Sequence, residues 1–285
     1  MIRNFGPARS AGVILAFIVS VCLPVVLFAS DAEKGYRHIK DISYVPEDET
    51  DEYRRERCRL DIYYPEDTDG FATLVWFHGG GLEGGSKSLL DEFRGRGFAV
   101  VDANYRLSPK ALCPSYIEDA AQSVAWVMEH IAGYGGSPDQ VYVGGHSAGG
   151  YLALMVTLAK GYMAACGADA DRIVKAYPVS GQTFTHYAIR AERGLPRNLP
   201  VIDSLAPSNN VRKDGAPVML ITGDDDLEML SRYEENLILY VLLKNLGHPV
   251  ELYQLEGFDH GTVLSPAACL IRDDIIRLWK ESSSR

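Results

Sequence analysis

The chain has 285 residues, of which 47% are apolar and 23% charged. That composition describes an ordinary globular protein with room for one sizeable core, and it excludes disordered and collagen-like classes. Twenty-eight basic against 38 acidic residues leave a net charge of -10, which excludes a binder of the nucleic-acid backbone, since that needs a basic footprint. No internal repeat of fixed period appears, so solenoids and propellers are excluded too.

The first segment reads as a leader. Arg3 and Arg9 precede an apolar run over 11–29, and Ser30 and Ala32 supply the small residues of a cleavage site. A basic start, an apolar middle and a small-residue exit describe a secretory signal over 1–32, with cleavage after Ala32. The alternative is an uncleaved membrane anchor, because the run nearly spans a bilayer; Pro24 inside it favours a signal. Export to the periplasm or the extracellular space follows, with a membrane partner only if the leader is retained. Cys58, Cys113, Cys166 and Cys269 remain beyond it. They could form disulfides in an oxidising compartment, with pairing open, or stay as buried thiols. No CxxC or His cluster accompanies them, so no metal site is expected.

From residue 39 onward, strand-like and helix-like segments alternate. Strands are expected at 39–45 and 58–64, separated by a charged turn. The continuous apolar run 72–77 (ATLVWF) suits a strand buried on both faces. A glycine-rich loop follows, then a helical stretch over 88–96 and a strand over 98–104. Ile117, Ala120, Ala121, Val124, Val127 and Met128 share one helical face within 116–131, and Gly133, Gly135 and Gly136 end that helix. Further strands are expected at 140–144, 173–178, 218–222 and 250–255, with helices at 151–160, 230–246 and 267–280. Eight strands alternating with helices predict an α/β fold with a mostly parallel central sheet and helices on both faces. The first two strands are joined too tightly for a crossover helix, so that edge is expected to be antiparallel. One domain over 33–285 accounts for the chain, with 179–216 the one extra piece, long enough for a small lid.

Gly145-His146-Ser147-Ala148-Gly149 lies between a strand and a helix. In that context G-x-S-x-G becomes a nucleophile elbow, a tight turn that lifts the serine to the carboxyl end of the sheet. The helix start then places the Ala148 N–H and a positive dipole beside the serine oxygen. Alone, the pattern is also that of any glycine-rich turn. His78-Gly79-Gly80-Gly81 follows the buried strand 72–77, and consecutive glycines let backbone N–H groups face an oxygen that gains negative charge during acyl transfer. A phosphate loop fails as an alternative, because no G-K-[ST] follows.

A serine hydroxyl needs a base at neutral pH. Of the seven histidines, His260 alone follows the last strand in a loop at the edge of the sheet that carries Ser147, so it is the expected base. A carboxylate should fix its tautomer. Asp224, Asp225 and Asp226 all follow the penultimate strand, and position alone does not choose among them.

These residues resemble the α/β-hydrolase superfamily, and within it the HGGG carboxylesterases of the hormone-sensitive-lipase-like and short-capped bacterial kind. The resemblance covers about 39–282. It extends to Asp102-Ala103-Asn104-Tyr105-Arg106-Leu107-Ser108-Pro109, to the helix with Glu118-Asp119-Ala120, and to the Gly-x-x-Asp after the seventh strand. It implies Asp226 as catalytic acid, the N–H groups of Gly79, Gly80 and Ala148 as oxyanion donors, Ser147 as nucleophile and His260 as base, with no cofactor. The implied activity is hydrolysis of a small-molecule ester, a short-chain or acylated-saccharide (acetyl or feruloyl) substrate, through an acyl-enzyme. Leu82, Glu83, Tyr151 and Phe258 are expected at the pocket walls. Two features depart from the pattern. Leu82-Glu83 stands where many relatives have Trp, and Glu83 either faces the substrate mouth, disfavouring acidic acyl groups, or points to solvent. The long N-terminal cap is missing, and the basic residues Arg190, Arg193, Arg197, Arg212 and Lys213 of 179–216 read as a solvated face rather than a contact for charged substrate. The competing functions are an arylformamidase-like amide hydrolase and a non-catalytic binding module; the presence of both Ser147 and His260 in context argues against the latter.

Overall fold

The computed structural model describes residues 35–283, so the leader and the cleavage site expected over 1–32 lie outside the described residues. Eight strands form one sheet: β1 (Tyr36–Ser43), β2 (Arg59–Pro65), β3 (Phe71–Phe77), β4 (Ala99–Ala103), β5 (Gly136–His146), β6 (Ala176–Val179), β7 (Val218–Gly223) and β8 (Val250–Leu255). Their spatial order is β1-β2-β4-β3-β5-β6-β7-β8. β2 runs antiparallel to both its neighbours, and every pairing from β4 to β8 is parallel. The antiparallel edge expected from the short first connection is therefore present. The order reverses direction at β3, where chain growth jumps across the sheet, and ligand sites in such sheets lie at the carboxyl ends beside that switch.

Alternation along β3 shows how the sheet holds two cores. Val75 and Phe77 face one side with Leu152 and Val124, while Leu74 and Trp76 face the other with Ile271 and Ile275. The first side is covered by α2 (Ser115–His130), α3 (Ala148–Leu158) and α6 (Arg232–Leu246), the second by α7 (Leu264–Ser283). α2 keeps the spacing expected of it: Ile117, Ala121, Val124 and Met128 are buried at three- and four-residue steps. α3 is buried at every position, because it is wedged behind the sheet under neighbouring segments rather than lying on the surface. Among the described residues no helix is long and apolar enough to cross a membrane.

Three local expectations change. The stretch 88–96 holds only one 3-10 turn, Asp91–Phe93, since Gly95 and Gly97 take left-handed φ, and Phe93 anchors the loop in the core with Leu89 and Leu90 packed beside it. The charged turn between β1 and β2 contains a short helix, α1 (Glu52–Arg57), capped by the Asp51 carboxylate on the Arg54 N–H. Two more short helices, α4 (Gly161–Ala165) and α5 (Tyr187–Glu192), had no long apolar periodicity to announce them. Cys58, Cys113, Cys166 and Cys269 are all free thiols, and burial pushes the Cys58 thiol up to about 12.

One buried ion cluster ties α1 and α2 to the loop after β4. Asp119 has a fully buried side chain. It accepts from Arg106 Nε at 2.7 Å, Arg106 Nη2 at 2.8 Å, the Arg106 backbone N–H at 3.0 Å and Arg54 Nε at 3.3 Å. A buried carboxylate survives only when its lone pairs are filled this way. The two stretches quoted above, Tyr105-Arg106-Leu107 and Glu118-Asp119-Ala120, thus meet as one scaffold beneath the glycine loop.

Candidate active site

Ser147 sits between β5 and α3 with φ 56° and ψ -116°, a region that costs a non-glycine residue about 1–3 kcal/mol. The turn is held by the Ser147 N–H on Val179 O at 2.8 Å and by the Tyr151 N–H on Ser147 O at 3.0 Å. Its glycines are required by space: a Cβ on Gly149 would lie 2.0 Å from Phe77 O, and one on Gly145 2.5 Å from the Gly149 backbone. The strain therefore stays in the serine, whose hydroxyl is pressed out at the sheet end.

Ser147 Oγ lies 2.9 Å from His260 Nε2, and His260 Nδ1 lies 2.7 Å from Glu228 Oε2. The arrangement assigns the tautomer: Nδ1–H donates to the carboxylate, leaving Nε2 free to accept the serine proton. Asp226 is not in this chain. It is exposed, and its backbone N–H donates to Asp224 Oδ1 at 3.1 Å. Asp224 instead accepts from the Gly257 N–H at 2.8 Å, and Asp225 accepts from Gln254 Nε2 at 2.8 Å. The outward position of Asp226 has a local cause. After β7 the chain winds one helical turn, with the Leu227 and Glu228 N–H groups both on Asp224 O at 3.1 and 2.8 Å. That turn carries Asp226 outward and brings residue 228 back under the sheet end.

The Glu228 side chain is fully buried. Burial alone would raise its pKa, but hydrogen bonds from His260, Ser180 and the Met229 N–H outweigh it and hold the carboxyl at about 2. Oε1 accepts from Ser180 Oγ and from the Gly223 N–H at 3.2 Å, and Oε2 also accepts from the Met229 N–H at 3.0 Å. His146 has a part that its place beside the serine did not reveal: its Nε2 lies 2.7 Å from His260 O and pins the backbone of the loop that carries His260. Burial, then the neighbouring His260, holds His146 down at about 4, so it donates as a neutral imidazole.

The glycine loop lies opposite. Gly80 and Gly81 have φ of 111° and 69°, and a Cβ on Gly80 would fall 2.2 Å from Gly84 O. Glu83 and Gly84 N–H groups fold back on Gly80 O at 3.1 and 2.9 Å. The N–H groups of Gly79, Gly80 and Ala148 have no acceptor among the described residues, which leaves them available to an external oxygen. His78 braces the loop from behind. Arg57 Nη2 is 3.2 Å from His78 Nε2, His78 Nδ1 is 2.6 Å from Gly79 O, and Tyr105 stacks on the ring at 4.4 Å while donating to His78 O at 2.7 Å. A guanidinium can only donate, so Nε2 accepts and Nδ1 carries the proton that holds Gly79 O.

The expected pocket walls divide. Leu82 is fully buried in the core, with φ 64°, and its carbonyl accepts from the Ser108 N–H. Tyr151 is fully buried too and donates to Leu205 O at 2.7 Å. Neither side chain is exposed at a wall, because the direction of each Cβ into the core outweighs its place next to a motif. Glu83 is exposed and forms a two-point ion pair with Arg197, at 3.0 and 2.5 Å, so it is neither a lone charge at the mouth nor free in solvent. Phe258 is partly exposed, and its carbonyl accepts from the Asp224 N–H at 2.8 Å. The 179–216 segment, around Tyr187, and a stretch that sequence did not single out, around Met229, form a cleft of about 650 Å3. It abuts the site on two sides: the Tyr187 hydroxyl fills the space that a Cβ on Gly81 would need, and Met229 follows Glu228 directly.

Comparison with known proteins follows the same lines. Residues 60–181 match the BD-FAE family model. The chain is 36% identical over 133 residues to "Probable carboxylic ester hydrolase LipM" of Mycobacterium tuberculosis, covering 44% of this chain and 29% of that protein. It is 35% identical over 106 residues to "Carboxylesterase NlhH" of the same species, covering 35% and 33%. The match thus spans about a quarter to a third of the length of such curated relatives. Among solved structures, a "Truncated form of carbohydrate esterase from gut microbiota" superposes with a TM-score of 0.72 at 18% identity, over 87% of this chain and 99% of that one. Over 60–181 the chain is thus similar to the BD-FAE family and to carboxylic ester hydrolases, and its eight-stranded sheet with the elbow and the HGGG loop shares the fold of a solved carbohydrate esterase.

Proposed function

We propose that the protein is a serine carboxylic ester hydrolase working through an acyl-enzyme, with Ser147, His260 and Glu228 as its triad. The observation that carries this reading is the unbroken hydrogen-bond chain from Ser147 Oγ through His260 to the buried Glu228 carboxylate. Ser147 Oγ attacks the ester carbonyl while its proton passes to His260 Nε2. The carbonyl oxygen, now negative, takes hydrogen bonds from the free N–H groups of Gly79, Gly80 and Ala148, with the start of α3 adding its dipole. The imidazolium is stabilised by Glu228 and returns the proton to the leaving alcohol. Water then repeats the cycle on the acyl-serine, and His260 again moves its proton.

The proposed substrate class rests on the proteins that the chain resembles. Short acyl groups, including acetyl or feruloyl groups on a saccharide, are the proposed targets, supported by the nearly complete structural overlap with a carbohydrate esterase. The 1–32 leader supports export of the enzyme, and the segment 179–216, clasped to the glycine loop through Arg197 and Glu83, supports its reading as a small lid. The test is a panel of 4-nitrophenyl esters of rising acyl length, acetylated and feruloylated sugars, and formyl amides. Hydrolysis of short esters that vanishes in Ser147→Ala is expected. Faster turnover of formyl amides than of any ester, or full activity in Ser147→Ala, would contradict the reading.

A further inference from the structure

The basic run in 179–216 is not a solvated face throughout. Arg193 pairs with Asp203 and Arg197 with Glu83 on the surface, but Arg190 is only 4% exposed and lies in the wall of the cleft beside the triad. Arg232, from the start of α6, forms the facing part of that wall and is 3% exposed. Each guanidinium has one backbone anchor: Arg190 Nη1 donates to Leu199 O, and Arg232 Nη1 to Ser180 O. The Nε–H of each is buried without an acceptor. Arg232 Nη2 has only the Met229 sulfur at 4.0 Å, and Arg190 Nη2 has no acceptor among the described residues.

Two buried guanidiniums with spare donors are costly unless an acceptor arrives. The carboxylate at hand does not supply it. Glu235 also lines the cleft, but its Oε2 is occupied by the Thr183 and Phe184 N–H groups at 3.2 and 3.4 Å, and it forms no ion pair with either arginine. Arg197 and Glu83 neutralise one another at the rim, so Glu83 does not repel an incoming anion. Among the residues that line the cleft, Arg190 and Arg232 outnumber Glu235 by one positive charge, while Glu228 lies behind the lining, shared with His260 and Ser180.

We infer that this cleft receives a carboxylate borne by the substrate, so that the preferred ester carries an acid group on its acyl or its alcohol part. The inference rests on the ester-hydrolase reading for its chemistry, but not for its binding. Guanidinium forks match a carboxylate in plane and spacing, which makes them better suited than lysine to this task. The cleft meets the triad at Ser180 and Glu228, because Arg232 holds the Ser180 carbonyl while the Ser180 hydroxyl holds Glu228. The cleft is thereby linked to Ser147 through Ser180, Glu228 and His260.

The test uses two matched ester pairs. Mono-4-nitrophenyl adipate against 4-nitrophenyl hexanoate places the acid on the acyl side, and 4-acetoxybenzoate against phenyl acetate places it on the alcohol side. In at least one pair the acidic ester should have the higher kcat/KM, and Arg190→Met should lower that acidic-to-neutral ratio about tenfold while Arg190→Lys restores part of it. A merely structural role for Arg190 lowers both esters together and leaves the ratio alone, which would overturn the inference. A second arm is independent of turnover: titration calorimetry of the Ser147→Ala protein with adipate and with benzoate. Binding that weakens in the Ser147→Ala, Arg190→Met double variant supports the site even if every ester proves inert. No heat with either anion, together with an unchanged ratio, overturns it.

Discussion

Glu228 Oε2 accepts the Nδ1 proton of His260 at 2.7 Å, two residues beyond the carboxylate that the chain order and family pattern point to. The distinction is measurable. Glu228→Gln keeps the shape of the side chain but removes the charge that stabilises the imidazolium and fixes its tautomer. It should lower kcat by about 10^3- to 10^4-fold. Asp226→Asn, on an exposed side chain outside the hydrogen-bond chain, should leave kcat within about twofold. Steady-state kinetics on one short ester separates the two variants, and a larger loss in Asp226→Asn would return the acid to position 226.

His146 acts through His260 rather than on the substrate. His146→Leu removes the donor to His260 O and frees the base-bearing loop. A misplacement of about 1 Å in a catalytic group costs up to 10^2-fold, so kcat should fall by about ten- to a hundredfold with KM little changed. His146→Gln, which offers an amide N–H in a similar direction, should recover part of the loss. A rise in KM at constant kcat would show that His146 meets the substrate instead.

Both His78 and His146 are held down at about 4 by burial, against an ordinary 6.5. The sign follows directly. Between pH 6.5 and 4 the unfolded chain protonates these residues and the folded chain does not. Folding stability is therefore full above 6.5 and falls as the pH drops through this window, by up to about 1.4 kcal/mol per pH unit for each residue. Glu228 acts lower: its folded value of about 2 against 4.5 means that its contribution is present above 4.5 and is lost as the pH falls toward 2. Urea midpoints measured from pH 7.5 to 4 should decline, and His78→Gln should flatten the slope.

The elbow leaves no room for a methyl group. Gly149→Ala sets a Cβ 2.0 Å from Phe77 O, a backbone atom of the central strand that cannot step aside. The variant should lose about 3 kcal/mol of stability, read as a lower urea midpoint, and most of its esterase activity. Removing the Asp119 carboxylate is comparable. Asp119→Ala leaves Arg54 and Arg106 without their buried partner and should cost about 3–5 kcal/mol. The exposed Glu83–Arg197 pair is a useful contrast, since Glu83→Gln should change stability by less than about 1 kcal/mol.

What could be read in advance follows from the range of the forces involved. The sheet and its covering helices were legible because apolar runs such as ATLVWF and the helical face Ile117–Met128 are local patterns. Ser147 and His260 could be placed at one sheet edge because each follows a strand directly. Glu228 was hidden because its position depends on one extra helical turn after Gly223, a turn set by backbone hydrogen bonds to Asp224 O. The burial of Leu82 and Tyr151 escaped the sequence for a related reason. Nearness to a motif says nothing of which way a side chain points, and both point inward. The cleft of Arg190 and Arg232 joins segments over 40 residues apart, and no spacing within either segment announces it.

The claim on which the rest depends is that Ser147 is the activated nucleophile. Reaction with a fluorophosphonate probe followed by peptide mass spectrometry tests it most directly. The account predicts one adduct, on the peptide containing Ser147, formed rapidly in the native protein and more than a hundredfold more slowly in Glu228→Gln and in a His260→Ala variant. An adduct on another residue, or equal labelling in the Ser147→Ala protein, would contradict it.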